Sequence, residues 1–413
     1  MSRANYRIPA YLLIVMNVLG FLLLYMVNGY QLNILYVGLG LLSLFIIMYS
    51  ILVFCRMGDK FLILIASMII TMGVLMLCRI DITMGARQIL WIGVGGIVFF
   101  TAYLIYYSVR IWHKMWFLYA AGGVVLFVVT LIFGKTVNGA RNWIDIGPIA
   151  FQPSEIIKIL YVMFLSCHYS ESWNKRFFGI RPVYMTGIVT YTYILFLVMQ
   201  RDWGTILVVF LIFIFMIYVY EKNRWFLWAN IAAALAVGYL GYKYLYHIQV
   251  RVGVWLDPWT DVSNKGYQIA QSLFGIAAGG YFGRGLGNGS PYYIPEVHTD
   301  FIFSAICEEM GVFGGAAIII LFFLLSYRCF KITLKTENSF NKAVALGLTL
   351  MFSLQTFIII GGVTKFIPLT GITVPFVSYG GTSIVVSFAS LGIMQAISAT
   401  EERKEARKSD ECE

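Results

Sequence analysis

The 413-residue chain is a succession of apolar runs, each about twenty residues long, broken by short polar turns. That pattern constrains the fold more than any single motif. The hydrocarbon core of a bilayer is about 30 Å thick and takes about 20 residues of helix to cross. In lipid, every backbone amide must be satisfied inside its own helix or a closed barrel. Runs of this kind lie at 8–28, 32–55, 59–79, 87–108, 116–134, 154–170, 183–200, 203–220, 225–245, 301–327, 340–363 and 374–398. They predict an all-α polytopic membrane protein with about 12 transmembrane helices. Composition agrees: 60% of residues are hydrophobic, 12% are charged and the mean hydropathy is +0.80, whereas a soluble domain carries about 25% charged residues. The 39 glycines suit close approach of membrane helices. No small-residue cleavage site follows the first run, which is therefore read as a retained helix. Cys55, Cys78, Cys167, Cys307, Cys329 and Cys412 have no metal-binding spacing and read as small hydrophobes. The four histidines form no cluster, and no structural metal site is expected.

Orientation follows from the positive charges. With the N-terminus in the cytoplasm, nineteen of the 30 Lys and Arg fall on the cytoplasmic side, ten on the outer side, and Lys158 stays inside a span. Lys and Arg accumulate in cytoplasmic loops, so both termini are expected to be cytoplasmic. The net charge of +10 is read through this placement, and no nucleic-acid partner is expected. Three segments result: two N-terminal helices in 1–58, a core in 59–398 with one long outer loop at 246–300, and a charged cytoplasmic tail, 399–413, expected to fray. Within the loop, 267–279 is mildly apolar and reads as a short interfacial or re-entrant helix.

Four polar clusters belong to the predicted outer side. The first contains Arg141 and Trp143, followed by Pro153-Ser154-Glu155 and Lys158. Pro opens a helix well, and an acid suits its first turn. Glu155 and Lys158 read either as an internal pair or as the charged wall of an outward-facing cavity. A charge at that depth costs up to about 2.5–3.5 kcal/mol on insertion scales. The second cluster, Gln200-Arg201-Asp202-Trp203, reads as a polar hairpin tip or a functional turn. The third has six glycines between 279 and 289 around Arg284. Glycine permits positive φ and close backbone approach, so these amides are expected to be exposed and, with Arg284, able to cradle a phosphate; a flexible loop is the alternative. Asp300 then opens the tenth run. Either Thr299 or Asp300 reads as a helix N-cap, or Asp300 reads as a catalytic carboxylate, with Glu308 and Glu309 roughly 12 Å deeper. The fourth cluster runs from Lys365 through two prolines to Ser378-Tyr379-Gly380-Gly381. Irregular backbone at membrane depth survives only when buried in protein or lining a cavity.

Five motifs in order carry a resemblance. They are Gly-Ala-Arg-Asn-Trp-Ile at 139–144, Gln-Pro-Ser-Glu at 152–155, Gln-x-Asp-x-Gly at 200–204, His-Thr-Asp-Phe-Ile-Phe at 298–303, and Pro-Phe-Val-Ser-Tyr-Gly-Gly-Thr-Ser at 375–383. Together they resemble the SEDS family (shape, elongation, division and sporulation), whose named members are RodA, FtsW and SpoVE. The common family pattern has ten spans, so 8–28 and 32–55 are additions. The resemblance implies a peptidoglycan glycosyltransferase that polymerises lipid II beside a class B penicillin-binding protein. It maps the family's essential acid onto Asp300 and its important loop tryptophan onto Trp143. The reaction it implies is inverting attack of a sugar 4-hydroxyl with loss of undecaprenyl pyrophosphate, for which a carboxylate base is expected. Arg141, Lys158, Arg284 and Lys365 are then the candidate counter-charges. Glu155, Asp202, His298 and Ser378 complete the expected substrate-binding set, and membrane lipids are expected around the helices. No ligand set marks a cofactor site, but a divalent cation, Mg or Mn, at the pyrophosphate would suit the chemistry.

Two other classes compete. A transporter or flippase of lipid-linked precursors would suit twelve spans and intramembrane charges, but paired broken segments in matching halves are not seen. A non-enzymatic scaffold of the cell-wall machinery is the third. Thr370-Gly371-Ile372 leans towards a role in elongation, and Gly285-Leu286-Gly287-Asn288 towards division.

Overall fold

The computed structural model describes residues 6–137, 139–147, 149–170 and 182–410. Arg3, Lys175, Arg176 and Arg181 of the charge count, and Cys412, lie outside the described residues. In chain order the elements are α1 (Arg7–Val27), α2 (Leu32–Phe54), α3 (Phe61–Ile80), α4 (Ile82–Ser108), α5 (Trp116–Phe133), β1 (Lys135–Val137), β2 (Ala140–Ile146), β3 (Ile149–Phe151), α6 (Pro153–His168), α7 (Pro182–Gln200), α8 (Trp203–Tyr220), α9 (Arg224–Tyr244), α10 (Tyr246–Leu256), α11 (Tyr267–Gly279), α12 (Ile302–Lys335), α13 (Ser339–Val363) and α14 (Gly381–Asp410).

Among the described residues, eleven helices are long and apolar enough to cross a membrane, one fewer than expected. The difference is the run at 154–170. It forms α6, whose 16 residues span about 24 Å, short of the roughly 30 Å of hydrocarbon. Nearly every α6 side chain is buried, so the helix is surrounded by protein and need not match the lipid. Three other corrections concern local structure. The loop at 135–151 holds a three-stranded antiparallel sheet in the order β1-β2-β3, where no strands were expected. The long loop contains α10 as well as the expected helix at 267–279. The tail is helical as far as Asp410 instead of frayed, because side chains anchor it: Lys335 Nζ lies 2.9 Å from Glu405 Oε1, and Arg403 donates to the Tyr107 hydroxyl.

The chain divides into two compact units. The first comprises Met1–Val109, Gln271–Thr336 and Thr373–Glu413. Its centre is α3 and α14, each 83% buried over its apolar window. α4 packs along α14, and α12 along α3. The added helices belong to this unit: α1 packs on α2 and α3, with Gly20 leaving room for Leu75 and Gly38 for Phe21. Their remaining large side chains, such as Leu12, Leu19 and Leu39, are exposed, as lipid-facing residues are. At the other end of the unit, Arg328 Nη2 donates to Asp59 Oδ1 at 2.9 Å.

The second unit comprises Arg110–Ala270 and Glu337–Ile372. Here α13 is central, 78% buried over its window, and packs on α6 and α8. α5 packs on α6, and α7 on α8. By contrast α9 is only 11% buried, and its exposed Leu235, Val237 and Leu240 present an apolar face.

Candidate active site

The residues expected at the site fall into both units: Arg284, His298, Asp300 and Ser378 into the first, and Arg141, Trp143, Glu155, Lys158, Asp202 and Lys365 into the second.

In the first unit the His-Thr-Asp segment is a compact turn before α12. Glu296 takes a positive φ of 53°, and its carbonyl accepts from the amides of Thr299, at 3.1 Å, and Phe301, at 3.3 Å. The N-cap position of α12 falls on Phe301, with no side-chain cap. The Thr299 hydroxyl donates instead to the Glu296 carbonyl, at 3.2 Å. The capping position expected for Thr299 or Asp300 is thus held by neither, and Asp300 is half-buried just before the helix. The imidazole of His298 stands 3.9 Å from the Glu296 carboxylate and edge-on to Tyr379, with centroids 6.1 Å apart.

What holds this turn is the fourth cluster. Ser378 Oγ donates to the Thr299 carbonyl at 2.6 Å and accepts from the Val374 amide at 2.8 Å, while the Tyr379 amide donates to the His298 carbonyl at 2.8 Å. Gln88 of α4 supports the far side, its Nε2 donating to the Ser378 carbonyl at 3.2 Å. Ser378 was expected to bind substrate. It is only 4% exposed and bonded on both sides to backbone, an arrangement that ties the acidic turn to the fourth cluster. Gln88 was not foreseen, although an amide inside an apolar run is a recognisable signal.

The glycine-rich loop also differs from expectation. α12 breaks at Gly311, where φ is 70° and ψ −173°. A break strands carbonyls and amides that the helix would have paired, and the loop satisfies them. The amides of Arg284 and Gly285 donate to the Glu308 and Glu309 carbonyls, each at 3.0 Å, and the Val312 amide donates to the Gly280 carbonyl at 2.9 Å. Gly283 allows this approach: its φ is 83°, and a Cβ there would collide with the Glu309 carbonyl. The loop's remaining anion-binding groups hold the two buried carboxylates. Glu308 Oε1 accepts from the Ser290 amide at 2.8 Å and from Arg284 Nη1 at 3.3 Å. Glu309 Oε2 accepts from the Gly287 amide at 2.9 Å, and its Oε1 pairs with Arg79 Nε at 2.9 Å. The expected phosphate cradle is therefore filled by the chain's own acids, because two carboxylates buried beside a broken helix need those donors more than a solvated ligand does. Arg284 keeps 46% of its side chain exposed.

In the second unit Lys158 Nζ donates to Glu155 Oε1 and to Gln355 Oε1 of α13, both at 2.8 Å, and Lys158 is 2% exposed. The pair lies on one helix, and Gln355 links it to another. Asp202 caps α8 through the Thr205 amide, at 3.1 Å, and its other oxygen accepts from Ser154 Oγ at 3.2 Å. Arg141 donates to the carbonyls of Gly134, at 2.8 Å, and Ile132, at 3.2 Å. It thereby satisfies carbonyls stranded at the end of α5. Trp143 pairs with Lys135 across β1 and β2. Lys365 has a φ of 60°, and its carbonyl accepts from Trp255 Nε1 at 3.2 Å.

No group of three or more His, Cys, Asp or Glu among the described residues is placed to hold a metal ion. Glu308 and Glu309 already have their donors.

Fold and site together define a multi-pass membrane protein with an acidic turn braced at one end of a broken helix. The family model for the cell cycle proteins FtsW, RodA and SpoVE matches residues 59–403. The chain belongs to that family, and is a multi-pass protein of a bacterial membrane. It is 32% identical to the peptidoglycan glycosyltransferase RodA of Mycobacterium tuberculosis, over 84% of this chain and 79% of that protein. Against the stage V sporulation protein E of Bacillus subtilis it is 32% identical, over 82% and 96%. Against a probable peptidoglycan glycosyltransferase FtsW of Geobacter it is 34% identical, over 66% and 76%. Its fold is similar to a chain of a peptidoglycan synthase complex, with a TM-score of 0.72 at 26% identity, covering 83% of this chain and 98% of that one. Crystalline RodA of Thermus thermophilus gives a TM-score of 0.60 at 24% identity, covering 83% and 96%. The family match begins after α1 and α2.

Proposed function

We propose that this chain is a peptidoglycan glycosyltransferase that polymerises lipid II at the outer face of the cytoplasmic membrane. Asp300 is its general base. The observation that carries the assignment is the brace on the acidic turn: two hydrogen bonds from Ser378 and Tyr379 hold the carbonyls of Thr299 and His298, the two residues immediately before Asp300, whose carboxylate stands outside the N-cap position. Rigid positioning of this kind is what a proton acceptor needs, because catalysis depends on holding reacting groups within hydrogen-bond reach.

The sugar 4-hydroxyl of one lipid II attacks the anomeric carbon of another. Asp300 takes the hydroxyl proton as the new glycosidic bond forms. The bond to the diphosphate breaks with inversion, and undecaprenyl pyrophosphate leaves. A diphosphate leaves without a strong acid, but its charge needs neutralising. Arg284, half-exposed and bound by one hydrogen bond to Glu308, has N–H groups to offer. A class B penicillin-binding protein is the proposed partner. The relatives' names divide between RodA, FtsW and sporulation proteins, and the proposed role is in cell elongation, with division as the alternative.

Asp300→Asn tests the assignment. The two side chains have the same size and cap helices about equally well, so the variant should fold normally. A lost general base costs about 10²–10⁴-fold in rate, which a lipid II polymerisation assay on purified protein would show plainly. A variant retaining half of wild-type polymerisation would exclude Asp300 as the base. The same assay separates an enzyme from a flippase or a scaffold, since neither of those polymerises lipid II.

A further inference from the structure

One face of α10 is occupied by His247, Arg251 and Trp255, spaced four residues apart, as neighbours on a helix are. All three meet polypeptide at the ends of membrane-length helices. The His247 ring lies against Trp203, the first residue of α8, with centroids 4.9 Å apart. Arg251 Nη1 donates to the Leu369 carbonyl at 2.8 Å, and Trp255 Nε1 to the Lys365 carbonyl just beyond α13. The same stretch closes on α8, because Gly204 faces the Thr370 carbonyl and the Ile372 side chain. All of these residues belong to the second unit.

Three features at this convergence are unexplained by packing. First, Arg201 sits beside Trp203 with a φ of 60°. That conformation is uncommon outside glycine and asparagine and is strained. The charge at this position is not there to suit the backbone. Second, the adjacent carboxylate does not neutralise it: Asp202 is turned inward onto Thr205 and Ser154, and Arg201 has no ion pair among the described residues. Third, two buried polar atoms, His247 Nε2 and Thr370 Oγ1, have no hydrogen-bond partner among the described residues. Buried polar atoms are nearly always bonded. Burial and the positive charges of Arg201 and Arg251 also hold the His247 imidazole below its ordinary pKa.

We propose that Arg201, His247 and Arg251 form a phosphate-binding site that takes the phosphate or diphosphate headgroup of a membrane lipid. Guanidinium groups bind such oxygens in a bidentate manner, and Thr370 Oγ1 supplies a further donor. The level is that of lipid headgroups, since the site lies where α8 begins and α13 ends. Trp203 and Trp255 beside it are the residue type that gathers at membrane interfaces. The ligand is therefore a lipid phosphate, either a phospholipid headgroup or an isoprenoid diphosphate. The site is separate from the acidic turn and does not rest on Asp300 being the base.

The test uses the purified full chain in a phosphate-free maltoside detergent. Equilibrium binding is measured with farnesyl diphosphate and with dihexanoyl phosphatidylglycerol. Arg201→Asn removes the charge with a residue that accepts the same backbone conformation. His247→Phe keeps a ring against Trp203 and removes the nitrogen. Each should weaken binding by roughly tenfold, the worth of one charge-assisted hydrogen bond, and Asp300→Asn should bind as wild type does. Binding of the diphosphate alone makes the site one for an isoprenoid carrier; equal binding of both probes makes it a general headgroup site. Absence of saturable binding to either probe, or wild-type affinity in both variants, overturns the proposal.

Discussion

Replacing Ser378 by alanine separates a positioning role from substrate contact. The serine hydroxyl makes one hydrogen bond of 2.6 Å to the Thr299 carbonyl and another of 2.8 Å from the Val374 amide. Its side chain is 4% exposed, so water cannot readily replace it. Alanine leaves an amide and a carbonyl stranded, and each buried orphan costs about 1–3 kcal/mol. With partial relaxation the loss of stability should be about 2–4 kcal/mol. One tether of the turn survives, from the Tyr379 amide to the His298 carbonyl, so the acidic segment should loosen without unfolding. A displacement on the order of 1 Å can cost about a hundredfold in rate. Ser378→Ala should therefore show a lowered melting temperature and a kcat reduced by roughly tenfold to a hundredfold, with KM for lipid II little changed. That combination marks an interaction needed in the transition state rather than in binding. A raised KM with unchanged kcat would make Ser378 a substrate contact. Unchanged stability and unchanged kcat would refute the brace.

Two further outcomes are expected. Gly311→Ala should prevent accumulation of folded protein, because φ is 70° there and a Cβ would collide with the Tyr281 carbonyl; detergent extracts analysed by size exclusion would show it, and wild-type yield would mean that the break in α12 is dispensable. Ser263, exposed in the long loop, should be labelled from outside intact cells when changed to cysteine, whereas a cysteine at Glu337, between α12 and α13, should stay protected from a membrane-impermeant reagent. The reverse pattern would invert the topology and remove lipid II polymerisation at the outer face with it.

The glycine-rich loop shows where a motif misleads. Six glycines beside an arginine carry the chemistry of a phosphate cradle, and the structure does use those amides for anions. The anions are Glu308 and Glu309 of the same chain. The sequence contained both carboxylates in an apolar run, and a pair of buried acids requires donors from somewhere. Their partners were not legible, because the loop reaches them across about twenty residues and Arg79 comes from α3. Arg141 is a similar case. Its charge was apparent, but its use in closing the end of α5 depends on the turn into β1 and β2, a sheet that short strands in a polar loop do not announce.

The sequence by itself determined the membrane class, the placement of nearly every long helix, the short helix at 267–279 and the family. Apolar length is a local property, and lipid enforces it segment by segment. The tertiary structure alone decided what the polar residues touch. It made α6 a short, protein-enclosed helix, broke α12 at Gly311, and turned Ser378 onto a carbonyl 79 positions earlier in the chain. A membrane interior offers polar groups no water, so each must find a partner in the protein. Which partner it finds is set by helices that meet only when the whole chain has packed.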